Sequence, residues 1–449
     1  MNMSSLLKES SEKKHVFIKT YGCQMNVYDS ERIIGLLEGS NYQVTYDITH
    51  ADVILLNTCS IREKPEHKIY SILGRLKRLK DNNPNLILAI GGCVAQQEGE
   101  KLFEKVPHLD LVFGTHHIDT LPTLLKEVEE KRAKVCETAM YREGYRDEGV
   151  VDSSLPKVSA YVSIIRGCNN FCSFCVVPYV RGREKSRPEE DILKEIVHLA
   201  QGGVKEVTLL GQNVNSYGND GVINGGFPHL LRAVDEVRGI ERIRFITSHP
   251  KDLSDDLICC FKELNKLCEH MHLPVQSGSN KILDLMNRGY TREQYLEKVE
   301  RLRAVCPDLS ITSDMIVGFP QETEQDFDDT LDLVNEVAFD DLFSFAYSDR
   351  PMTASTRFEG KVSSEVKRER LTVLQEVQRK YNLKKNKAVV NKVEEILVEG
   401  ESKKDQQRMT GKTRSGKTVN FAGEENLRGR LVSVKIRSAS LHSLSGELV

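Results

Sequence analysis

The sequence predicts an α/β protein with three parts: an N-terminal doubly wound α/β domain, a central partial (βα)6 barrel and a small C-terminal antiparallel β-barrel. Two successive series of apolar strands alternate with helical stretches, a pattern typical of parallel sheets covered by helices. After about residue 387 the chain changes to short alternating segments punctuated by glycines, which indicates a small barrel. We expect domain limits at 13–131, 154–384 and 387–449, with a polar linker at about 137–157.

The composition is that of a soluble globular protein. It is 39% apolar and 29% charged, with no tryptophan and a net charge of −3. The first residues lack an apolar signal region, and no stretch approaches about 18 uninterrupted apolar residues, so we expect a cytoplasmic protein that does not enter the membrane. In that setting eleven cysteines favour metal or redox chemistry over structural disulfides.

In the first part, one cysteine follows the end of each of three predicted strands: Cys23, Cys59 and Cys93. The strands are 16–18, 52–56 and 86–90, and a helix is predicted at about 30–37. Because parallel strands end at one edge of a sheet, the three thiols are expected to converge there. They could ligate an iron–sulfur cluster, or they could be three unrelated buried cysteines, since cysteine is among the most buried residue types.

The central part begins with a tight cysteine loop. Cys168, Cys172 and Cys175 follow an apolar strand at C-x3-C-x2-C spacing, and no further cysteine occurs for more than eighty residues. A structural zinc site closes with four ligands, whereas three thiolates suit a four-iron cluster with one iron left open. A partial zinc ribbon, a disulfide knot and chance remain alternatives.

Polar residues recur at the ends of the later strands of the central part, where barrel folds carry their active sites. They are Asn213, Asn215, Ser248, His249, Gln276, Ser277, Asp314, Tyr347 and Arg350. Each is a candidate for substrate or cofactor contact, and each could instead belong to a polar turn. Capping boxes at 186–189 and 291–294 predict the starts of two helices.

The C-terminal part is locally basic. Residues 382–449 contain 14 Lys and Arg against 8 Asp and Glu, a balance of +6, much of it in 384–387 and 408–417. A small basic barrel is suited to binding a phosphate backbone, although a charge run can also be only a solvated face.

Taken together, these motifs resemble the radical-SAM methylthiotransferase family, and its tRNA-modifying branch in particular. The matching segments are 20–26, 57–64, 91–93, 166–179, 211–218 and 272–279. The last 60 or so residues resemble a TRAM domain, an RNA-binding barrel. Gln321, Met352 and Ala354 stand where the family commonly has glycine or proline, which leaves details of the substrate loop open.

The resemblance implies a transferase with two [4Fe–4S] clusters and S-adenosyl-L-methionine (SAM). One cluster would bind Cys168, Cys172 and Cys175, open one iron to SAM and generate a deoxyadenosyl radical from it. The other would bind the cysteines of the first part, Cys23, Cys59 and Cys93, and hold the sulfur to be methylated and transferred. Residues expected at the SAM pocket are Phe174, beside the adenine, and Asn213, Ser248 and Gln276.

The implied reaction adds a methylthio group to C2 of isopentenyl-adenosine next to the tRNA anticodon, in a loop whose bases can be unstacked. Arg181, Arg183 and Arg187 could contact phosphates or form salt bridges. We also expect an electron donor such as flavodoxin or ferredoxin, and a monomer. Alternatives are a methylthiotransferase for threonylcarbamoyl-adenosine tRNA or for a ribosomal protein, or a non-catalytic iron–sulfur RNA-binding regulator.

Overall fold

The computed structural model describes residues 13–60, 63–140, 157–221, 225–402 and 405–449. Its contacts divide the chain into two compact units, Met1–Asp147 with Val151–Ser154, and Glu148–Val150 with Leu155–Val449. Most of the predicted linker, 141–156, lies outside the described residues, as do Ile61 and Arg62 of the matching segment 57–64.

The first unit is built on a parallel sheet. The strands are β1 (Lys14–Thr20), β2 (Tyr42–Val44), β3 (Val53–Thr58), β4 (Ile87–Gly92), β5 (Leu111–Phe113) and β6 (Val135–Glu137). The helices are α1 (Gln24–Glu38), α2 (Glu63–Asn82), α3 (Cys93–Glu98), α4 (Lys101–Lys105) and α5 (Leu121–Lys131). Within the described part of this unit, the strand order is β2-β1-β3-β4-β5-β6 and every pairing is parallel.

Helices cover both faces of this sheet. Every residue of β3 and β4 is buried, as expected for strands covered on both sides. Alternate residues of β3 pack into the hydrophobic cores on opposite faces of the sheet. Val53 and Leu55 lie in one core, and Ile54 and Leu56 lie in the other. The predicted doubly wound domain is therefore confirmed.

Helix α1 begins six residues before the predicted start. Its first turns bury the polar residues Asn26, Asp29 and Ser30, which an apolar periodicity does not reveal. The helix begins at Gln24, immediately after the turn that follows β1, and Cys23 occupies its N-cap position.

The second unit opens with a partial barrel. Its strands are β7 (Ser159–Ser163), β8 (Ile165–Arg166), β9 (Lys185–Ser186), β10 (Glu206–Leu210), β11 (Arg242–Phe245), β12 (His270–His272), β13 (Ser310–Val317) and β14 (Asp341–Ala346). Its helices are α6 (Val177–Val180), α7 (Glu189–Gln201), α8 (Gly226–Asp235), α9 (Asp255–Glu263), α10 (Asn280–Leu285), α11 (Arg292–Val305), α12 (Glu324–Val337) and α13 (Ser364–Lys387).

The long strands of this barrel are parallel and follow chain order. Strands β7, β10 and β11 form one sheet and β12, β13 and β14 another, and a single bridge between Ile243 and Leu267 joins the two. One large hydrophobic core packs the strands against the helices. The predicted six-stranded partial barrel is confirmed for the described residues.

The chain ends in a closed barrel of order β15-β16-β17-β19-β18. Its strands are β15 (Val393–Ser402), β16 (Asp405–Thr413), β17 (Thr418–Ala422), β18 (Leu431–Ala439) and β19 (Leu444–Leu448). Between described residues the pairings are antiparallel except β17 with β19, which is parallel. The predicted small barrel is confirmed, with that one departure from antiparallel pairing.

Short 3-10 helices complete the described structure: Ile48–His50, Val214–Ser216, Pro250–Asp252, Ala354–Arg357 and Glu425–Leu427. Each helix in the described part of the chain is too short or too polar to cross a lipid bilayer.

Two arginines of β11 attach the C-terminal barrel to the partial barrel. Arg242 donates to the carbonyl oxygens of Lys412 at 2.7 Å and Glu395 at 2.9 Å. Arg244 donates from Nη2 to the carbonyl of Thr413 at 2.7 Å and from Nε to the Glu206 carboxylate at 2.9 Å. Both guanidinium groups are buried, so these contacts replace their water.

Cations of the C-terminal part form ion pairs with carboxylates of the partial barrel. Arg414 forms an ion pair with Glu269 at 2.8 Å, Lys417 approaches Asp340 at 3.6 Å, and Lys385 of α13 pairs with Asp340 at 2.7 Å. A share of the basic excess that suggested phosphate binding is therefore used inside the protein.

These contacts lie at the amino ends of the barrel strands. Glu206 and Arg242 are the first residues of β10 and β11, and Glu269 and Asp340 immediately precede β12 and β14. The C-terminal barrel consequently packs at the edge opposite to the one that carries the cysteine loop.

Replacing Arg244 with alanine should lower the free energy of unfolding by about 3–5 kcal/mol, because Glu206 would remain buried without its partner. The matched control is Arg232→Ala, which breaks an exposed pair with Asp256 and should cost about 1 kcal/mol or less. Guanidinium unfolding of the full chain measures both. Equal losses in the two variants would contradict a buried attachment at Arg244.

Candidate metal centres

The cysteine loop is closed at its base by a short antiparallel pair. Strand β8 pairs with β9 through Ile165 with Ser186 and Arg166 with Lys185. Gly167 follows with φ +80°, and a Cβ there would lie 2.1 Å from the Arg183 carbonyl oxygen, so this position requires glycine. The turn directs the chain into Cys168.

The segment after α10 holds the loop from the other side. Ser173 donates its backbone N–H to the Met286 carbonyl at 3.0 Å and its hydroxyl to the Leu285 carbonyl at 2.7 Å. The Asn287 amide donates to the carbonyls of Asn170 and Phe171, each at 3.1 Å. The segment 285–287 therefore holds the cysteine loop through four hydrogen bonds.

The three thiols of the loop have different surroundings. Burial raises the pKa of Cys168 and of Cys175 to about 12, so both are neutral thiols until a metal displaces their protons. Cys172 Sγ instead accepts a hydrogen bond from Arg288 Nη1 at 3.3 Å and lies 3.9 Å from His249 Nε2. Burial, helped by nearby cations, lowers the pKa of His249 to about 2, so its imidazole is neutral.

Polar atoms without partners lie close to this loop. Asn213 Oδ1, Asn215 Oδ1 and Ser248 Oγ are buried and have no hydrogen-bond partner among the described residues. Asn213 donates to the Asp252 carboxylate at 2.6 Å, and that carboxylate also accepts from Asn170 of the loop at 3.5 Å.

Three such buried atoms at the strand ends are a feature that a bound polar ligand would explain. A buried polar group left unpaired costs about 1–3 kcal/mol, so proteins seldom leave several together. Asn215 donates to the His249 carbonyl at 3.4 Å, and His249 Nε2 lies 3.9 Å from Cys172 Sγ, so Ser248 precedes a residue that lies beside the cysteine loop. The residues thus fit a cluster with a polar ligand at its open side.

Gln276 and Phe174 are the other two residues expected at the SAM pocket. Gln276 has φ +78° and bridges to β13 through its backbone, and Tyr290 Oη donates to the Val275 carbonyl at 2.8 Å. The Phe174 ring is partly buried and meets Phe319 edge-on, with centroids 6.5 Å apart.

Other predicted polar residues have structural partners. The Tyr347 hydroxyl is 2.8 Å from Ser355 Oγ, and Ser277 Oγ is 3.4 Å from Thr330 Oγ1. Arg187 forms a buried ion pair with Glu195, so the salt-bridge alternative holds for it.

Two further positions complete this comparison with the sequence. Asp314 lies 3.5 Å from His272, and Arg183 is exposed with its guanidinium over the Phe171 ring at 4.2 Å.

Sequence reasoning missed Arg288 and Asp252, which are 116 and 80 residues from Cys172. No local motif marks them, because only the fold brings them to the loop.

The second set of cysteines lies at neighbouring strand ends of the first unit. Cys23 follows β1, Cys59 follows β3, and Cys93 begins α3 directly after β4. These three strands are adjacent in the sheet. The structure therefore places the three cysteines at neighbouring strand ends on one edge of the sheet.

Close packing ties these strand ends together. A Cβ on Gly22 would lie 2.3 Å from Cys59 Cβ, and Gly22 has φ +130°. Asn26 accepts from Cys23 Sγ at 3.3 Å and donates to Asn57 Oδ1 and to the Thr58 carbonyl, each at 3.0 Å. The buried Asn26 therefore links the first two cysteine-bearing turns.

None of the cysteines, all of which lie in described residues, forms a disulfide. Among the described residues no three His, Cys, Asp or Glu side chains are grouped as ligands of one metal ion. In a four-iron cluster each thiolate binds a different iron, so the sulfurs need not converge on one point. Two separate sets of three thiols suit two such clusters, each with an open iron.

Comparisons with known proteins agree with this organisation. Residues 15–114 match the uncharacterized protein family UPF0004, residues 162–334 the radical SAM superfamily and residues 387–449 the TRAM domain. Among solved structures, the radical SAM methyltransferase TsrM from Kitasatospora setae aligns over 76% of this chain and 77% of its own, at TM-score 0.58 and 14% identity. At that identity the likeness shows the fold alone.

Two relatives match nearly the full length. The tRNA-2-methylthio-N(6)-dimethylallyladenosine synthase of Syntrophus aciditrophicus (strain SB) is 54% identical over 98% of this chain and 95% of its own. The synthase of the same name from Syntrophobacter fumaroxidans is 50% identical over 100% of this chain and 98% of its own. The resemblance predicted from the sequence is confirmed: this chain belongs to the radical SAM family of tRNA-2-methylthio-N(6)-dimethylallyladenosine synthases.

Proposed function

We propose that this protein is a radical-SAM tRNA methylthiotransferase that adds a methylthio group to C2 of isopentenyl-adenosine next to the anticodon. The observation that carries the proposal is the 54% identity over nearly the whole chain to a relative named for that product. The two sets of three cysteines support it, because the transfer needs both radical chemistry and a sulfur source.

The target carbon explains the need for cofactors. The C2–H of adenosine is not acidic, so no side-chain base can remove its proton at useful rates. When bound, the clusters and SAM supply the one-electron chemistry, the sulfur and the methyl group. The protein is left with binding, orientation and exclusion of water.

The cysteine loop would hold the SAM-cleaving cluster. Cys168, Cys172 and Cys175 would supply three thiolates and leave one iron without a protein ligand. Ser173 and Asn287 hold the loop to the segment after α10. Unpaired oxygens of the adjacent strand ends would receive the polar groups of SAM. They belong to Asn213, Asn215 and Ser248, with Gln276 and the Phe174 ring as further contacts.

Cys23, Cys59 and Cys93 would hold the second cluster, which retains the sulfur. Their turns are packed by Gly22 and Asn26, so the three thiols are presented without a rearrangement of the sheet. The relatives are named for a methylthio product, which supports a source of transferable sulfur. The three cysteines lie in a different compact unit from the cysteine loop, which supports a second cofactor.

The substrate would be a tRNA. It would be bound in part through exposed cations of the C-terminal part. Among the described residues these include Lys384, Lys387, Lys392 and Arg430. Single-stranded loop bases can be splayed out and read, which suits an adenosine beside the anticodon. We also propose a flavodoxin or ferredoxin as electron donor, a monomeric enzyme and a cytoplasmic location.

We propose the domain limits 13–131, 154–384 and 387–449. The family matches at 15–114, 162–334 and 387–449 fall within them and support these limits. No feature of the described residues favours the alternative substrates or a non-catalytic regulator.

The cysteine sets should separate two activities. After anaerobic reconstitution with reductant, SAM and isopentenylated tRNA, Cys172→Ala should abolish both 5′-deoxyadenosine and the methylthio nucleoside. Cys59→Ala should abolish the methylthio nucleoside but leave deoxyadenosine formation. Mass spectrometry of digested nucleosides measures both products. Full methylthiolation by Cys59→Ala would refute the role of the second set, and neither product from intact wild-type protein would refute the proposed function.

Ser248→Ala should weaken SAM binding without destabilising the protein. The hydroxyl is buried and has no hydrogen-bond partner among the described residues, so its loss removes no hydrogen bond within the protein. One lost hydrogen bond to the ligand corresponds to about 2–10-fold in affinity. Calorimetric titration with SAM and thermal melting measure the two effects, and unchanged SAM affinity would remove Ser248 from the pocket.

A further inference from the structure

A buried arginine lies against one cysteine of the loop. Arg288 is 4% exposed, and its Nη1 donates to Cys172 Sγ at 3.3 Å. Its Nε donates to Tyr290 Oη at 3.0 Å and its Nη2 to the Pro274 carbonyl at 2.5 Å. Every guanidinium nitrogen is engaged, so the group has a fixed position.

The backbone around this arginine is anchored to the same loop. Arg288 donates its N–H to the Leu283 carbonyl at 3.0 Å, in a turn where Asn287 has φ +56° and Gly289 φ +69°. Asn287 holds the backbone of the cysteine loop, as described above. Arg288 and Cys172 are therefore parts of one rigid assembly.

The charge of Arg288 is not balanced by a carboxylate. Among the described residues none of the ion pairs includes it, and its partners are a thiol, a phenol and a carbonyl. A buried cation without an anion is strongly unfavourable. The group that could supply negative charge at this place is the Cys172 sulfur as a metal-bound thiolate.

We propose that Arg288 is a positioning residue that hydrogen-bonds the Cys172 thiolate and raises the reduction potential of the cluster held by the loop. This inference rests on the proposed assignment of a [4Fe–4S] cluster to Cys168, Cys172 and Cys175. Reduction adds one electron from an external reductant and forms or breaks no bond. A fixed positive charge in a region of low dielectric stabilises the more negative reduced state, and hydrogen bonds to cluster sulfurs act in the same direction.

The test uses the full chain with Cys23, Cys59 and Cys93 replaced by alanine, so that a single cluster gives the signal. Anaerobic titration with dithionite and mediators, without SAM, is followed by electron paramagnetic resonance. Arg288→Gln should shift the midpoint potential to a more negative value, and Arg288→Lys should give a smaller shift in the same direction. The matched control is Arg292→Gln, four residues on, which breaks a partly exposed pair with Glu336 and should leave the potential unchanged.

Iron content separates the possible failures. If the triple-alanine chain binds no iron, the cluster assignment fails and the proposed function fails with it. If it binds about four irons per chain and Arg288→Gln keeps the background potential, only the inference about Arg288 fails. A loss confined to SAM affinity, with unchanged potential, would likewise overturn it. If Arg288→Gln does not retain the cluster, the midpoint potential of Arg288→Lys is measured instead. An unchanged potential in Arg288→Lys would contradict the proposal.

Discussion

The parallel direction of the strands is the constraint on which this structure depends. Parallel strands bring all their carboxyl ends to one edge, and each unit has a set of three cysteines there. In the first unit this brings together thiols that are 34 and 36 residues apart, on the turns after β1, β3 and β4. In the second unit the cysteines come from one loop, and the other strand ends supply buried polar atoms around it.

The two edges of the partial barrel have opposite roles. The carboxyl edge carries Cys172, Arg288 and unpaired amide and hydroxyl oxygens, all suited to a charged ligand. The amino edge carries Arg242 and Arg244, which donate hydrogen bonds to backbone carbonyls of the C-terminal barrel. Separating the two lets the C-terminal barrel attach without using residues of the proposed cofactor site. It also explains why Arg414 and Lys417 are part of the docking contact and not of the exposed basic surface.

Much of this arrangement follows from sequence pattern, and the exceptions have physical causes. Apolar runs predicted β10 and β13 well, and the box at Thr291 is confirmed, with its hydroxyl accepting from the Gln294 N–H at 3.3 Å. The box predicted at Ser186 is wrong, because Ser186 lies in β9 and accepts from Gly218, while the helix begins at Glu189 after Pro188. Strands β16 and β19 were not predicted because they contain few apolar residues. The contact of Arg288 with Cys172 joins residues 116 positions apart, which no local pattern encodes.

The central claim is that the packed strand ends of the first unit hold a second cluster. The most direct test is iron and sulfide per chain in Gly22→Ala, because a methyl group there would overlap Cys59, compared with Gly74→Ala in α2, where a Cβ meets nothing within 4 Å. The account predicts that Gly22→Ala retains about half of the wild-type iron, as expected if one of two four-iron clusters is lost, and that Gly74→Ala retains all of it. A full iron complement in Gly22→Ala would contradict the claim.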